Sequence, residues 1–345
     1  MRILITGSSG QIGTNLALRL LGAGHGVVGV DVRPNGWTDA VETHLIDLAR
    51  PLRVAAGRLG DVAVGEVDAV AHLAAHAKVH ALVERPLGAL ENHVMVTNAL
   101  EFARRNRVPI LLASSREVYG NLPAHPGPAG YQAPVPERAA DFRNAPSPYA
   151  AMKLAGESLA AAYRRCYGVP FAIIRYSNVY GRYDSDLDRL ERAIWLFRRR
   201  ILLGQPVTVY GARKTLDFTY VDDAVAGTIR CLERLVAGDP AVSGEAFNLA
   251  YGEGHRLLEV VRLIAAALGR QADVRVTAPR PGEVTYYVAD ITKARERLGY
   301  APQVPVPEGI PRALAWAAEW EAGTGGRGDP AILPASARHR VPPSG

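Results

Sequence analysis

Tyr149 and Lys153 are four positions apart in a segment whose apolar residues recur with helical spacing. In a helix, this spacing places a phenol and an ammonium one turn apart on the same face. A free tyrosine has a pKa of about 10 and is a poor base at neutral pH, but a neighbouring positive charge favours the phenolate and lowers that pKa. The pair therefore predicts removal of a proton from an alcohol, aided by a hydroxyl donor that binds the same substrate oxygen.

A glycine-rich string gives this pair its context. Gly7, Gly10 and Gly13 follow a short apolar run and lead into a helical pattern. Glycines at these positions permit a tight turn and let the backbone approach a pyrophosphate held at the helix N-terminus. Asp31 ends the second apolar run, where a carboxylate accepts hydrogen bonds from an adenosine ribose and repels a 2′-phosphate. The pattern predicts NAD rather than NADP, although the nearby Arg33 counts against that preference.

Short β-branched runs alternate with longer helical patterns in the first half of the chain, which is typical of a parallel sheet covered by helices on both faces. We therefore predict an α/β fold, with a Rossmann-type doubly wound parallel sheet and a smaller mixed α/β domain. The predicted strands are Arg2–Thr6, Gly26–Asp31, Thr43–Ile46, Ala69–Leu73, Pro109–Ala113 and Phe171–Tyr176. The predicted helices are Gln11–Leu21, Ala89–Arg105 and Pro148–Tyr167. Proline, glycine and alanine dominate Gly120–Pro148, which predicts a long surface loop with a functional role.

The pattern changes after Gly181. The elements predicted there are a helix over Arg189–Leu203, strands over Val207–Tyr210 and Phe218–Val221, a helix from Ala224, and helices over Leu257–Leu268 and Lys293–Leu298. We predict an NAD-binding domain over residues 1–180, completed by about 217–247, and a substrate-binding domain over 181–216 and 248–321. Residues 322–345 are rich in glycine, proline and arginine, which predicts a disordered tail.

The composition is that of an ordinary folded protein, with 48% hydrophobic and 21% charged residues. The net charge of +6 arises from dispersed basic residues, without the basic arm or patch expected for nucleic-acid binding. No apolar run approaches the roughly 18 residues of a membrane span. The N-terminus lacks the basic leader of a signal peptide, and two cysteines give no disulfide framework. We therefore expect a cytoplasmic protein, and no residue cluster has the spacing of metal ligands.

The glycine spacing, together with Ser115, Tyr149 and Lys153, resembles the extended short-chain dehydrogenases/reductases that act on nucleotide sugars. The resemblance runs from about Arg2 to Trp320. It implies NAD as the cofactor and Ser115 as the hydroxyl donor beside the catalytic pair. It also implies a set of residues that contact NAD in addition to the three glycines and Asp31, namely Gln11, Ile12, Asp47, Leu48, Leu73, Ala74, Ala75, Asn92, Tyr149, Lys153 and Tyr176.

Later strings resemble the segments with which these enzymes bind a nucleotide sugar. The resemblance implies that Asn178 meets the pyrophosphate and that Arg280 contacts the diphosphate or ribose as a forked donor. The family often has an arginine before an Asp-Phe pair, where this chain has Leu216. Arg213 or Lys214 is the candidate replacement for that arginine.

The resemblance implies a shared first step, in which Tyr149 takes the proton of the sugar 4-hydroxyl while hydride moves to NAD and a 4-keto sugar forms. The family's 4,6-dehydratases have an aspartate where this chain has Arg116, so ordinary dehydration is not expected. Glu117 matches a catalytic glutamate of UDP-glucuronate decarboxylases, and it is equally placed to pair with Arg116. A 4-epimerase needs no such acid, because the keto sugar turns over and takes the hydride back on its other face.

Arg189 and Arg192 bear on the identity of the sugar. Either is a candidate to bind a 6-carboxylate, although acidic neighbours could pair with both on a solvated helix. We expect 4-epimerisation of a UDP-hexose, with UDP-glucuronate to UDP-galacturonate as one candidate conversion. The alternatives are UDP-glucuronate decarboxylation or another NAD-dependent dehydration. A non-catalytic NAD-binding regulator is the alternative from another class, and such a protein would be expected to lack Ser115, Tyr149 or Lys153.

The resemblance further implies a homodimer that packs through the helices near Ala89–Arg105 and Pro148–Tyr167. The second helix is rich in alanine, and small side chains permit close approach of two helices. Alanine also favours helix formation in its own right, so the composition only supports this expectation.

Overall fold

The computed structural model describes residues 1–122, 133–184 and 192–323. Its strands in those ranges are β1 (Arg2–Thr6), β2 (Gly26–Asp31), β3 (Thr43–Leu45), β4 (Val54–Ala55), β5 (Arg58–Leu59), β6 (Val62–Ala63), β7 (Ala69–His72), β8 (Ile110–Ser115), β9 (Phe171–Tyr176), β10 (Asn178–Tyr180), β11 (Val207–Tyr210), β12 (Thr215–Tyr220), β13 (Ala246–Leu249), β14 (Gly254–Arg256), β15 (Val274–Thr277) and β16 (Tyr286–Tyr287). Its helices are α1 (Gln11–Gly22), α2 (Val79–Glu84), α3 (Leu87–Asn106), α4 (Pro148–Tyr167), α5 (Ala193–Leu202), α6 (Val221–Val236), α7 (Leu257–Ala267), α8 (Thr292–Leu298) and α9 (Val306–Gly323).

Seven strands form one parallel sheet in the order β3-β2-β1-β7-β8-β9-β13. β1 pairs with β2 on one side and with β7 on the other. The chain therefore leaves β1 in one direction and returns to its other side, which creates a topological switch point at the carboxyl ends of β1 and β7. Open sheets of this kind bind ligands in the crevice at that point. The predicted α/β fold with a doubly wound Rossmann-type sheet is confirmed.

Both faces of this sheet are buried. Neighbouring residues of a strand point to opposite faces, so each strand contributes side chains to both. Ile3 of β1 shares a hydrophobic cluster with Leu16 of α1, whereas the next residue, Leu4, shares a second cluster with Leu100 of α3. Burying such a side chain contributes roughly 1.5–3 kcal/mol. Helices α1 and α6 pack together, as do α3 and α4. The two helical layers hold the carboxyl edge of the sheet in place.

The second half of the chain builds smaller sheets. β12 pairs in parallel with β10 and β16 and antiparallel with β14, and β11 pairs with β15. Helix α7 packs on both α5 and α9. Along the chain, β11 and β12 of the smaller sheets come before β13, which belongs to the large sheet. No helix in the described ranges is long and apolar enough to cross a membrane.

An aromatic cluster joins α9 to the segment that follows β2. Trp37 lies 5.6 Å from Tyr183, 5.8 Å from Trp316 and 5.3 Å from Trp320, measured between ring centroids. Trp316 and Trp320 are one turn apart on α9 and stack on each other. Because the segment after β2 begins at Asp31, the cluster fixes the chain next to the predicted ribose-binding acid.

In the first half of the chain, the predicted strand and helix ends lie within two residues of the observed ones. The strand predicted over Phe218–Val221 has wrong bounds, since β12 begins three residues earlier, where it pairs with β14 and β16. The helix predicted from Ala224 also begins three residues earlier. Asp222 and Asp223 occupy its first turn, where negative charge is favourable.

Three predictions fall partly outside the described residues. The helix predicted over Arg189–Leu203 is described from Ala193 as α5, and Arg189 itself lies outside. Of the predicted loop Gly120–Pro148, residues 123–132 lie outside, and the remainder contains two short 3₁₀ turns and the buried Val135. The predicted tail lies outside from residue 324 onward, while its first two residues belong to α9. The strands β4 to β6, β10 and β13 to β16 and the helices α2 and α9 were not predicted.

Gly13→Ala should strongly destabilise the protein. An added Cβ would lie 2.1 Å from the carbonyl oxygen of Gly7, and this backbone atom cannot move without moving the whole turn. We expect a loss of about 2 kcal/mol or more in the free energy of unfolding, measured by urea unfolding and circular dichroism. Gly22→Ala in the same helix is the control, because nothing lies within 4 Å of its added Cβ. It should leave stability unchanged or raise it by up to about 1 kcal/mol, and equal stabilities of the two variants would contradict the argument.

Candidate active site

The turn between β1 and α1 is shaped by its glycines. Gly7 has a φ of +74°, and a Cβ there would lie 2.7 Å from the backbone nitrogen of Ala74. Gly13 packs equally closely on Gly7. The N-cap residue of α1, Gly10, has no side chain to cap the first backbone N–H groups of the helix. A turn this close to the loop after β7, followed by an uncapped helix start, fits the pyrophosphate of a dinucleotide.

Asp31 lies at the end of β2 beside this turn. Its carboxylate accepts hydrogen bonds from the backbone nitrogens of Ser9, at 3.0 Å, and of Arg33, at 3.3 Å. The Arg33 guanidinium donates to the Ser9 carbonyl rather than to Asp31. The acid is half-buried, so it retains an open side toward a ribose hydroxyl. Asp47, at the end of the next strand connection, is exposed, and its neighbour Leu48 is buried.

Two buried asparagines of α3 hold the loops at the carboxyl edge of the sheet. The Asn92 amide accepts from the backbone nitrogen of His76 at 2.7 Å and donates to its carbonyl at 3.0 Å. Asn98 donates to the carbonyls of Leu48 and Arg50 and accepts from the backbone nitrogen of Leu52. The side-chain hydrogen bonds of Asn92 are thus directed to the loop after β7. In this structure it shapes the predicted cofactor site through that loop.

A cleft of 330 Å³ opens at the carboxyl edge of the sheet. It joins the predicted cofactor side to the predicted substrate side, because residues from both halves of the chain line it. The predicted site residues on its walls are Ile12, Leu73, Ala75, Ser115, Arg116, Glu117, Tyr149, Lys153, Tyr176, Asn178 and Arg192.

Tyr149 lies in the first turn of α4, where Ser147 caps the helix by accepting from the backbone nitrogen of Ala150. The phenol is 6% exposed. Burial raises the pKa of Tyr149 to about 12, while a hydrogen bond with Ser115 lowers it. Ser115 Oγ already accepts from the backbone nitrogen of Glu117, at 3.2 Å, so its hydroxyl proton is free for a second oxygen. Ser115 and Tyr149 therefore present two adjacent hydroxyls to one substrate oxygen.

Lys153 lies one turn below Tyr149 and is buried. Its Nζ donates to the carbonyl of Ala113 at 2.7 Å and lies 5.7 Å from the centre of the Tyr149 ring. Burial lowers the pKa of Lys153 to about 8, and Glu157 raises it. His72, at the end of β7, is neutral, because burial and the charge of Lys153 lower its pKa to about 3. Lys153 therefore lies where its positive charge would favour a Tyr149 phenolate, and the charges of Arg192 and Arg116 also lower the pKa of Tyr149.

Glu157 was not singled out from the sequence, although it lies one helical turn beyond Lys153. It accepts from the Ser114 hydroxyl at 2.5 Å and from two nitrogens of Arg175, at 3.0 and 2.6 Å. Arg175 in turn donates to the hydroxyl of Tyr119 and to the carbonyl of Glu137. This network ties α4 to β8 and β9 directly beneath the catalytic pair. The four-residue spacing of Lys153 and Glu157 was the signal available in the sequence.

Two ion pairs line the same cleft. Arg116 Nη2 lies 2.8 Å from Glu117 Oε1, and its Nε donates to the Asn178 side-chain oxygen at 3.3 Å. Arg192 Nε lies 3.2 Å from Asp184 Oδ1. Arg192 also donates to the Val179 carbonyl and to the side-chain oxygen of Gln11. Asp184 was seen in the sequence only as one of several acidic neighbours, and its burial shows that it belongs to the site.

The predicted replacements for the missing arginine lie away from the cleft. Arg213 is exposed in the turn before β12, and the adjacent Lys214 is buried and paired with Glu283 at 2.8 Å. The Arg280 guanidinium stacks on the ring of Tyr210, 3.7 Å from its centre, and does not line the cleft. Arg189 is outside the described residues. Within the described residues, no group of three or more His, Cys, Asp or Glu side chains is placed to hold a metal ion.

A sequence profile of the NAD dependent epimerase/dehydratase family matches residues 3–250. The chain belongs to this family. One relative is UDP-glucose 4-epimerase of Mycolicibacterium smegmatis, 33% identical over 322 residues, which covers 91% of this chain and 97% of the relative. UDP-glucuronate 4-epimerase 1 of Arabidopsis thaliana is 29% identical over 91% of this chain and 76% of its own length. The crystal structure of Thermus thermophilus UDP-glucose 4-epimerase complexed with NAD superposes with a TM-score of 0.73, at 26% identity, over 92% of this chain and 98% of that one.

The family membership confirms the resemblance drawn from the sequence and confirms NAD as the cofactor of these enzymes. The glycine turn and Asp31 fit that cofactor, as described above. The family contains UDP-sugar 4-epimerases whose names carry different sugars. Membership therefore fixes the class of enzyme and leaves the sugar to be argued from the cleft.

Asp184→Asn should flatten the pH dependence of stability. Burial raises the pKa of Asp184 to about 7, so the folded protein binds this proton more tightly than the unfolded chain does. Asp184 therefore makes the wild type lose stability as the pH rises from about 4 to 7, by at most about 4 kcal/mol. The variant should lack this decline. The contribution of Asp217, whose pKa burial also raises to about 7, and the opposite contribution of His72, whose pKa burial lowers to about 3, are the same in both proteins.

The measurement is urea unfolding at several values of pH between 5 and 8. Asp61→Asn is the control, because Asp61 is exposed between β5 and β6 and its replacement removes no buried charge. A decline of the same size in the wild type and in Asp184→Asn would show that Asp184 is not the group that titrates.

Proposed function

We propose that this protein is an NAD-dependent 4-epimerase of a UDP-hexose that acts through a transient 4-keto sugar. The observation that carries the proposal is one cleft lined by Ser115, Tyr149 and Lys153, by Ile12 of the helix that follows the glycine turn, and by residues of the chain's second half. Membership of a family with UDP-glucose and UDP-glucuronate 4-epimerases supports the same reaction.

In the proposed mechanism, Ser115 and Tyr149 hold the oxygen of the sugar 4-hydroxyl between them, and Tyr149 takes its proton. Lys153, one turn below, stabilises the phenolate form of Tyr149 that accepts this proton, and the phenol is neutral once the proton has been taken. Bound NAD would supply the hydride acceptor, and later the donor, together with a positive charge beside the phenol. Tyr149 then returns the proton to the 4-oxygen after the keto sugar has turned its other face. Mass is unchanged, and only the configuration at carbon 4 is inverted.

The remaining predicted residues receive roles from their positions. We propose that the backbone of the glycine turn holds the pyrophosphate of NAD and that Asp31 binds its ribose. Residues that then contact the rest of the cofactor are Gln11, Ile12, Asp47, Leu48, Leu73, Ala74, Ala75 and Tyr176. Asn178 and Arg192 face the substrate side of the cleft and are assigned to the nucleotide sugar.

Two features argue against the alternatives. The Glu117 carboxylate is paired with Arg116, so we assign it no proton-transfer step and do not favour decarboxylation. A regulator without catalysis has no need of a buried lysine beside a buried tyrosine, and both are present with Ser115.

We further propose that residues 1–180 with about 217–247 bind NAD and that 181–216 with 248–321 bind the nucleotide sugar. The two free cysteines support a reducing compartment such as the cytoplasm.

We also propose a homodimer through α3 and α4. Leu87 and Leu90, on α3, are 81% and 56% exposed, and Tyr167 at the end of α4 is 57% exposed. Exposed apolar side chains on neighbouring helices favour burial against a second copy. Leu87→Glu should shift the protein from dimer to monomer in light scattering at micromolar concentration. Val32→Glu, at a similarly exposed position after β2, is the control and should remain dimeric; a monomeric wild type would overturn this proposal.

Tyr149→Phe should reduce turnover by at least about 100-fold while leaving NAD bound, because it removes only the oxygen that takes the proton. Turnover is measured by incubating the protein with NAD and a UDP-sugar and recording mass and proton NMR spectra of the product. Bound NAD is measured by its absorbance after gel filtration. Tyr163→Phe on the same helix is the control, since its hydroxyl bonds Glu101 outside the cleft, and it should retain turnover. Full activity of Tyr149→Phe would exclude the proposed mechanism.

A further inference from the structure

The charges on the cleft walls bear on which sugar fits, and this inference rests on the proposed epimerase function. Arg116 and Arg192 are the arginines that line the cleft among the described residues. Each is already paired with a carboxylate of the same cleft, Glu117 and Asp184 respectively. Lys153 is committed to the Ala113 carbonyl and to Tyr149. The described walls therefore offer no cation whose charge is free for an acidic substituent of the sugar.

Two polar atoms of the Arg116–Glu117 pair remain without a hydrogen-bond partner although they are buried. They are one donor, Arg116 Nη1, and one acceptor, Glu117 Oε2. A buried polar atom without a partner is unfavourable, so a ligand that supplies partners gains affinity. A sugar hydroxyl both donates and accepts, and it therefore satisfies either kind of atom. The unpartnered atoms of the described walls therefore favour a sugar that presents hydroxyl groups to them.

A carboxylate on the sugar would interact less favourably with these atoms than a hydroxyl does. It could accept from Arg116 Nη1, but it would then share that guanidinium with Glu117, and two negative charges would lie close together in a region of low dielectric. Like charges in such a place repel strongly. A carboxylate also has no proton to donate to Glu117 Oε2. The charge of Glu117 reaches the reaction centre, since it raises the pKa of Tyr149.

We propose that the Arg116–Glu117 pair is a specificity determinant, which admits UDP-hexoses with uncharged hydroxyl substituents and rejects UDP-hexuronates. The rejecting element is the Glu117 carboxylate, and Arg116 holds that carboxylate at the cleft wall. Specificity of this kind comes from an unfavourable contact with the wrong substrate as much as from a good contact with the right one.

The test compares kcat/KM for UDP-glucose and for UDP-glucuronate in the wild type, Glu117→Gln and Glu233→Gln. We expect the wild type to favour UDP-glucose by at least about tenfold, and Glu117→Gln to reduce that ratio by at least about tenfold, because the amide keeps the shape without the charge. Glu233→Gln makes the same change at an exposed position of α6 and should leave the ratio as in the wild type. A wild type that prefers UDP-glucuronate, or a ratio unchanged in Glu117→Gln, overturns the proposal.

Arg116→Gln tests the same proposal by removing the cation of the Arg116–Glu117 pair. It leaves the Glu117 charge without its partner, so it should increase the preference for UDP-glucose, opposite in direction to Glu117→Gln. If the arginine instead served to bind a substrate carboxylate, the wild type would prefer UDP-glucuronate, and Arg116→Gln would abolish that preference. Circular dichroism and bound NAD establish that each variant is folded before its ratio is used.

Binding separates this inference from the proposed function. In the Tyr149→Phe background, calorimetry measures the affinity for UDP-glucose and for UDP-glucuronate without turnover. Tighter binding of UDP-glucose, with the difference reduced by adding Glu117→Gln, supports the specificity proposal. Equal or tighter binding of UDP-glucuronate overturns it. Failure of the NAD-loaded wild type to convert either sugar, although it binds them, would overturn the proposed epimerase function and not the selectivity of the cleft.

Discussion

A buried ammonium is the constraint on which the site depends. Lys153 loses the hydration of its charge when α4 packs on the sheet, and that loss is offset only by the Ala113 carbonyl at 2.7 Å and by the carboxylate of Glu157 in the next turn. The hydrogen bond from Lys153 to the Ala113 carbonyl forms only if α4 packs against β8 in one position. The same packing position of α4 brings Tyr149 next to Ser115, the last residue of β8. The same electrostatic requirement therefore places the three side chains that we propose as base, cation and hydroxyl donor.

Glu157 extends this requirement into the sheet. Its bidentate contact with Arg175 of β9 and its bond to Ser114 of β8 join two neighbouring strands to the helix above them. Each partner would be an uncompensated buried charge or polar group without the others. The arrangement therefore rigidifies the part of the sheet edge where the proton is transferred. The loops around it are fixed separately, by Asn92 and Asn98.

The sequence was informative where local rules dominate. The glycine turn, the period of the first strands and the Tyr149–Lys153 spacing are short-range features, and the structure places them as those rules require. The bounds of β12 were misplaced because distant strands decide them, and the start of α6 was misplaced with them because this helix begins directly where β12 ends. Arg213 was a reasonable replacement by position along the chain, but the turn before β12 points it into solvent. The pairing of Arg192 with Asp184 could not be derived from spacing, since several acidic residues lie nearby in sequence.

The return of β13 to the large sheet has a consequence for how this protein folds and changes. β13 pairs with β9 across about seventy intervening residues, which include β10, β11 and β12 of the smaller sheets and the helices α5 and α6. In the proposed division, neither the NAD-binding part nor the sugar-binding part is a continuous piece of chain, so a single recombination junction would exchange neither part whole. Pairing over such a separation also slows folding, since the loop must close before the contact forms. A substitution within the cleft therefore changes the sugar-binding walls with less rearrangement of the chain than an exchange of the whole sugar-binding part would need.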